Sequence, residues 1–126
     1  MKNNIIDYGK NPLVINLNKA TLANNNFRRA IWTGEYLQVT LMSISPGCDI
    51  GLEVHENVDQ VIFVVSGKGI SKIGESTVNI CKDTAIFIPA GTLHNIINTG
   101  KQDLKLYTLY APPEHPFKTL EKNKLP

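Results

Sequence analysis

The chain has 126 residues, 42% of them hydrophobic, and a formal net charge of +2. That is enough apolar material for one buried core, too much for wholesale disorder, and too balanced a charge for an extended nucleic-acid-binding face. No stretch reaches the roughly 20 apolar residues of a membrane-spanning helix. The first seventeen residues, interrupted by Asp7, Gly9 and Pro12, offer no continuous apolar run for a secretion signal, so the expected address is the cytoplasm. There Cys48 and Cys81 read as free thiols, since neither has a second Cys or a His within a few residues.

In chain order, the segment around residues 19–28 is the one with room for a helical turn. After it come short apolar runs at 30–33, 37–44, 52–55, 60–65, 69–73, 76–80, 85–88, 94–98 and 104–110. Turn signals punctuate them: Thr33-Gly34, Pro46-Gly47, Ser66-Gly67, Gly74-Glu75, Lys82-Asp83 and Thr99-Gly100. Many short strands at regular spacing predict an all-β sandwich or barrel, one domain over 1–126, with residues 112–126 as a tail. The lysines from Lys118 to Lys124 lack interleaved aromatics and read as solvated.

Two strands carry further expectations. In 60–65, Ile62 and Val64 lie on one face and Val61, Phe63 and Val65 on the other. A sheet with one wet face alternates with polar residues, so an N-terminal strand or a second subunit is expected to cover the other face, and a homodimer follows. In 37–44, Gln38, Thr40 and Met42 alternate with Leu37, Val39 and Leu41, and the polar face is a candidate pocket wall. Trp32 reads as a core or interface residue, and Arg28 and Arg29 as solvated rather than anion-binding. His115, between Pro112-Pro113 and Pro116, reads as part of a tail packed on the surface rather than as an acid or base over a barrel mouth.

Two of the three histidines stand in patterns that suit a metal. Glu53 and His55 are two apart, so an extended segment presents them on one side. Gln60 follows after Glu56-Asn57-Val58-Asp59 and comes beside them if the two runs form a hairpin. His94 follows Pro89-Ala90-Gly91, a turn able to deliver it to a barrel wall. Two imidazoles and a carboxylate make the mixed N/O environment of iron, manganese, nickel or zinc, with the Gln60 amide as a weak fourth oxygen. A lone His or an isolated E-x-H is more often packing or surface, so residue types alone leave the metal open.

The spacing adds a resemblance. Residues 47–67 read G-x5-E-x-H-x4-Q-x6-G and resemble the first cupin motif, G-x5-H-x-H-x4-E-x6-G. Residues 83–98, D-x5-P-x-G-x2-H-x3-N, are similar to the second, with Asp83 in place of a turn glycine. The resemblance implies a cupin double-stranded β-helix, a jelly-roll barrel of two antiparallel sheets, with one divalent transition metal held at Glu53, His55, Gln60 and His94. Relative to the family pattern, a carboxylate is lost at Gln60 and one appears at Glu53. The run 27–60 and the residues 104–117 also resemble small single-domain bacterial cupins labelled as mannose-6-phosphate isomerase-like, a label that assigns no substrate.

The expected function is a metal-dependent enzyme acting on a small oxygenated metabolite such as a sugar, uronate or keto compound, with isomerase or lyase chemistry and Glu53 as the candidate proton-transfer group. The alternatives are an Fe(II) dioxygenase built on the two-His, one-carboxylate triad and a non-catalytic small-ligand-binding barrel. No nucleic acid or membrane is expected as a partner.

Overall fold

In the computed structural model, residues 7–125 are described. The first six residues, part of the stretch read above as free of a secretion signal, and Pro126 at the end of the tail lie outside the described residues. The elements are α1 (Leu17–Ala23), β1 (Arg28–Thr33), β2 (Gln38–Ile44), β3 (Asp59–Ser66), β4 (Lys68–Ile73), β5 (Ser76–Cys81), β6 (Ala85–Ile88), β7 (His94–Asn98), β8 (Leu104–Ala111) and β9 (Leu120–Glu121). They form a six-stranded sheet ordered β6-β3-β8-β2-β1-β9 and a three-stranded sheet ordered β5-β4-β7. Every pairing is antiparallel.

Alternation places one side of each large-sheet strand in the core. Met42 and Ile44 from β2, Ile62 and Val64 from β3, and Leu104 and Leu106 from β8 meet Ile80 of β5 and Ile96 of β7 in a single buried cluster. Gln38 and Thr40 lie on that same inner face and are fully buried. The polar face of β2 is therefore the one turned inward, with the Thr40 and Thr108 hydroxyls bonded to each other. Buried hydroxyls need such a partner, because an unsatisfied one costs about 1–3 kcal/mol.

Four expectations are corrected. The helix lies at Leu17–Ala23, because Asn16 caps it by accepting from Lys19 N at 2.9 Å, and the chain is extended again by Arg28. The outer face of β3 meets this helix rather than an N-terminal strand: α1 packs on β2, β3 and β8, and Lys105, on the outer face of β8, donates to Asn24 O at the helix end. Residues 52–55 form no strand; only Glu53 makes an isolated bridge, and its partner is His94. They form no hairpin with β3 either, which pairs with β6 and β8. The C-terminal lysine-rich segment is not simply solvated: Leu120 and Glu121 pair with Arg29 and Arg28, and Lys124 forms an ion pair with Asp49.

The motif residues Gly67, Asp83 and Asn98 are structural. Gly67 has φ +96°, and a Cβ there would meet Asp103 O at 2.9 Å, so a bulkier residue would collide with backbone. Asp83 takes φ +72° in the turn where the family pattern has glycine, a conformation aspartate tolerates better than most residues. Asn98 is buried and donates to Ile44 O at 2.8 Å and Gln102 O at 2.9 Å, tying the two sheets together. Cys48 and Cys81 are free and exposed, and Trp32 Nε1 donates to Asn11 O at 2.7 Å, pinning the N-terminal segment.

Candidate metal centre

Glu53 and His94 are placed by reciprocal backbone bonds, each N–H donating to the other's carbonyl at 2.9 Å. The Pro89-Ala90-Gly91 turn is lashed to the first motif. Gly91 N donates to His55 O at 2.8 Å, and Ala90 N donates to Asp59 Oδ1 at 2.9 Å. Gly91 has φ +82°, a left-handed conformation that favours glycine. The turn thus fixes His55 and His94 relative to each other.

The side chains converge. Ligand-type atoms of Glu53, His55 and His94 all lie within 4.8 Å of one another. Glu53 Oε1 is 3.4 Å from His55 Nε2 and 3.9 Å from His94 Nε2. Each ring is oriented by its other nitrogen. His94 Nδ1 lies 2.9 Å from Thr92 O, a carbonyl that can only accept, so Nδ1 donates and the neutral ring's Nε2 is a bare acceptor. His55 Nδ1 lies 3.3 Å from the Glu114 carboxylate, which favours the same tautomer. Both Nε2 atoms, and Gln60 Oε1, are buried without a hydrogen-bond partner. Two unpartnered imidazole nitrogens converging on one carboxylate fit a metal ion.

Gln60 stands on the same inner face, opposite Tyr110 in the β3–β8 ladder, and the Tyr110 ring is 5.9 Å from that of His55. Of the four residues expected to meet, the structure clusters Glu53, His55 and His94 tightly and sets Gln60 on the adjoining wall.

Sequence reading missed three contributors. Glu114 lies in the tail, and nothing local marks it. It arrives because Gln38, fully buried, accepts from Glu114 N at 3.1 Å and His115 N at 2.9 Å and donates to His115 O at 2.8 Å. His115 is accordingly drawn over the mouth, its Nε2 3.3 Å from Tyr110 Oη, rather than packed on the outside. Arg28 is buried rather than solvated, donating from Nη1 to Glu121 Oε1 at 2.7 Å with Nη2 3.8 Å from Glu53 Oε2. Burial holds the Tyr110 phenol above its ordinary range and therefore neutral.

Burial, with the positive field of Arg28 behind it, lowers the His115 pKa to about 4. The folded state thus resists a proton that the unfolded chain takes up near 6.5. Stability is complete above that value and declines as pH falls toward about 4. Allowing for solvent screening of a partly exposed ring, the loss is about 1–2 kcal/mol. Urea unfolding is expected to show the wild type losing that much more than His115→Gln between neutral pH and the lower value.

The cupin domain family profile matches residues 40–110. This chain belongs to the cupin family. Its two antiparallel sheets are the cupin β-sandwich, and Glu53, His55 and His94 form a cluster able to hold a metal ion. The protein YrkC of Bacillus subtilis, itself uncharacterised, is 54% identical over 124 residues, covering 94% of this cupin and 67% of the relative. The chain thus spans about two thirds of YrkC. The crystal structure of BH2720 from Bacillus halodurans is 48% identical with a TM-score of 0.93, covering 94% of each chain. A predicted oxalate decarboxylase from Thermotoga maritima is 26% identical with a TM-score of 0.58, covering 60% of this chain and 66% of that one. Among the described residues, no helix is long and apolar enough to cross a membrane.

Proposed function

We propose that this cupin binds one divalent transition metal (zinc, iron, manganese or nickel) through Glu53, His55 and His94, with the Gln60 carbonyl as a neutral fourth donor. We propose further that it is an enzyme acting on a small oxygenated metabolite. The observation that carries the reading is the pair of buried, unpartnered nitrogens His55 Nε2 and His94 Nε2 around the Glu53 carboxylate, with Gln60 Oε1 also unpartnered on the adjoining wall. When bound, such an ion supplies Lewis acidity to a substrate oxygen, which suits isomerase or lyase chemistry.

The chain's own residues supply orientation and proton handling. Thr92 O and Glu114 hold the two imidazoles with Nε2 inward. A neutral amide at Gln60 leaves Glu53 as the one carboxylate among the proposed donors, so positive charge remains at the centre. Glu53, with Oε2 turned toward Arg28, is the candidate proton-transfer group. Tyr110 and neutral His115, 3.3 Å apart, form a second pair for proton exchange at the mouth. The same triad also supports a second reading, an Fe(II) dioxygenase, which oxygen uptake by anaerobically iron-loaded protein would reveal.

The test is the metal content of untagged protein by mass spectrometry, followed by screens of metal-loaded protein on sugars, uronates and keto compounds. Near-stoichiometric metal with turnover of one class is expected. A chain that stays empty after incubation with all four ions contradicts the reading. Glu114→Ala is expected to weaken metal binding about 10-fold, the range for losing a carboxylate behind a ligating His, measured by competition with a chromophoric chelator.

A homodimer belongs to the same proposal. Phe87 is 72% exposed, and Phe63 and Tyr107 stack with centroids 5.2 Å apart on the outward sides of neighbouring strands. Light scattering on a sizing column tests it, and a monomeric mass contradicts it.

A further inference from the structure

Arg28 lies on β1 opposite Met42 and Glu121, with its guanidinium turned into the barrel and its side chain 8% exposed. A cation this buried needs its donors matched. Nη1 donates to Glu121, and the plane lies by the Phe27 ring, 5.2 Å from its centroid. The opposite edge is unmatched. Nε is buried with no hydrogen-bond partner, and Nη2 approaches Glu53 Oε2 no closer than 3.8 Å, beyond hydrogen-bond reach.

Nε and Nη2 together form one of the two edges with which a guanidinium grips a carboxylate through parallel bonds. No nearby carboxylate bonds this edge, Glu53 Oε2 facing Nη2 only from 3.8 Å. Glu121 holds Nη1, Glu114 lies across the His55 ring at Nδ1, and Glu53 Oε1 faces the two Nε2 atoms. The unused edge and the proposed metal donors are therefore separated by a single carboxylate group, that of Glu53. A ligand that spans this distance meets both.

We propose that Arg28 is a specificity-determining residue that restricts this centre to small metabolites bearing a carboxylate, gripped on the Nε/Nη2 edge beside the metal. The proposal rests on the metal reading above. A neutral sugar would leave the buried edge unmatched, whereas a 2-oxo or 2-hydroxy acid presents a carboxylate and a second oxygen on adjacent carbons, one group for each site. His115, held neutral over the mouth, adds no competing cation.

The test uses the full chain loaded with manganese, its metal content verified, and calorimetric titration with pyruvate and with pyruvamide, its neutral analogue of the same shape. Wild-type protein is expected to prefer pyruvate by about 10- to 100-fold, the range of a charge-assisted pair. Arg28→Gln is expected to erase that preference while retaining manganese, and Arg28→Lys, which keeps the charge but loses the fork, to lose most of it. Equal binding of the two probes by wild type, no binding of pyruvate, or a preference that survives in a folded, metal-loaded Arg28→Gln or Arg28→Lys overturns the proposal and leaves the metal reading standing. A wild-type chain that takes up no manganese or other divalent ion overturns both. The wild-type comparison decides the matter even where a variant fails to fold.

Discussion

Replacing His94 with alanine is expected to lower divalent-metal affinity by more than about 100-fold, beyond what losing an outer-shell partner costs. The residue is 2% exposed, its ring is oriented by Thr92 O, and its Nε2 has no other partner. The metal-free variant is expected to unfold within about 1 kcal/mol of the wild type. Losing the packed ring destabilises, but removing a buried unpartnered acceptor offsets part of that cost. The difference appears on adding metal. At a hundred times the wild-type dissociation constant, wild type gains about 2.7 kcal/mol and the variant about 0.4 kcal/mol or less. Thermal melts with and without zinc check both halves, and equal stabilisation of the two proteins would remove His94 from the donor set.

The second large effect is expected at Gln38. Leucine matches its bulk but none of its bonds to Glu114 N, His115 N, His115 O and the Thr33 hydroxyl. With several buried partners stranded at about 1 kcal/mol or more each, Gln38→Leu is expected to cost roughly 3 kcal/mol in urea unfolding, limited by the strap's ability to detach and hydrate. Detachment has a functional signature. It withdraws Glu114 from His55, so metal affinity should fall about as far as in Glu114→Ala. The double variant should bind metal no more weakly than either single one, since both act through the same contact. Additive losses would show that Gln38 acts otherwise than by holding the strap.

The strands were legible because alternation and turn residues are local signals. The segments expected at 85–88 and 94–98 coincide with β6 and β7, and most others lie within one or two residues of their strands. What escaped was non-local. Residues 52–55 alternate like a strand, yet Glu53 finds one bridge partner in His94 and no ladder. Gln60 reaches the inner wall without a hairpin to residues 52–55, since β3 takes β6 and β8 as neighbours.

Arg28 looked solvated because its partner Glu121 is 93 residues away and is delivered by a two-residue edge strand that no local pattern announces. His115 and Glu114 looked like surface for a similar reason, as their anchor is a buried amide 76 and 77 residues earlier in the chain. A polar Gln among buried strand positions was the one available hint that something must come back to satisfy it.

The measurement that tests the central claim most directly is anomalous X-ray diffraction from crystals of the zinc- or manganese-loaded chain. The expected result is one strong peak per chain, about 2.0–2.3 Å from Glu53 Oε1, His55 Nε2, His94 Nε2 and Gln60 Oε1. A metal-soaked crystal with no peak among these atoms, or with metal only at surface residues, would contradict the assignment of this cluster as the metal centre.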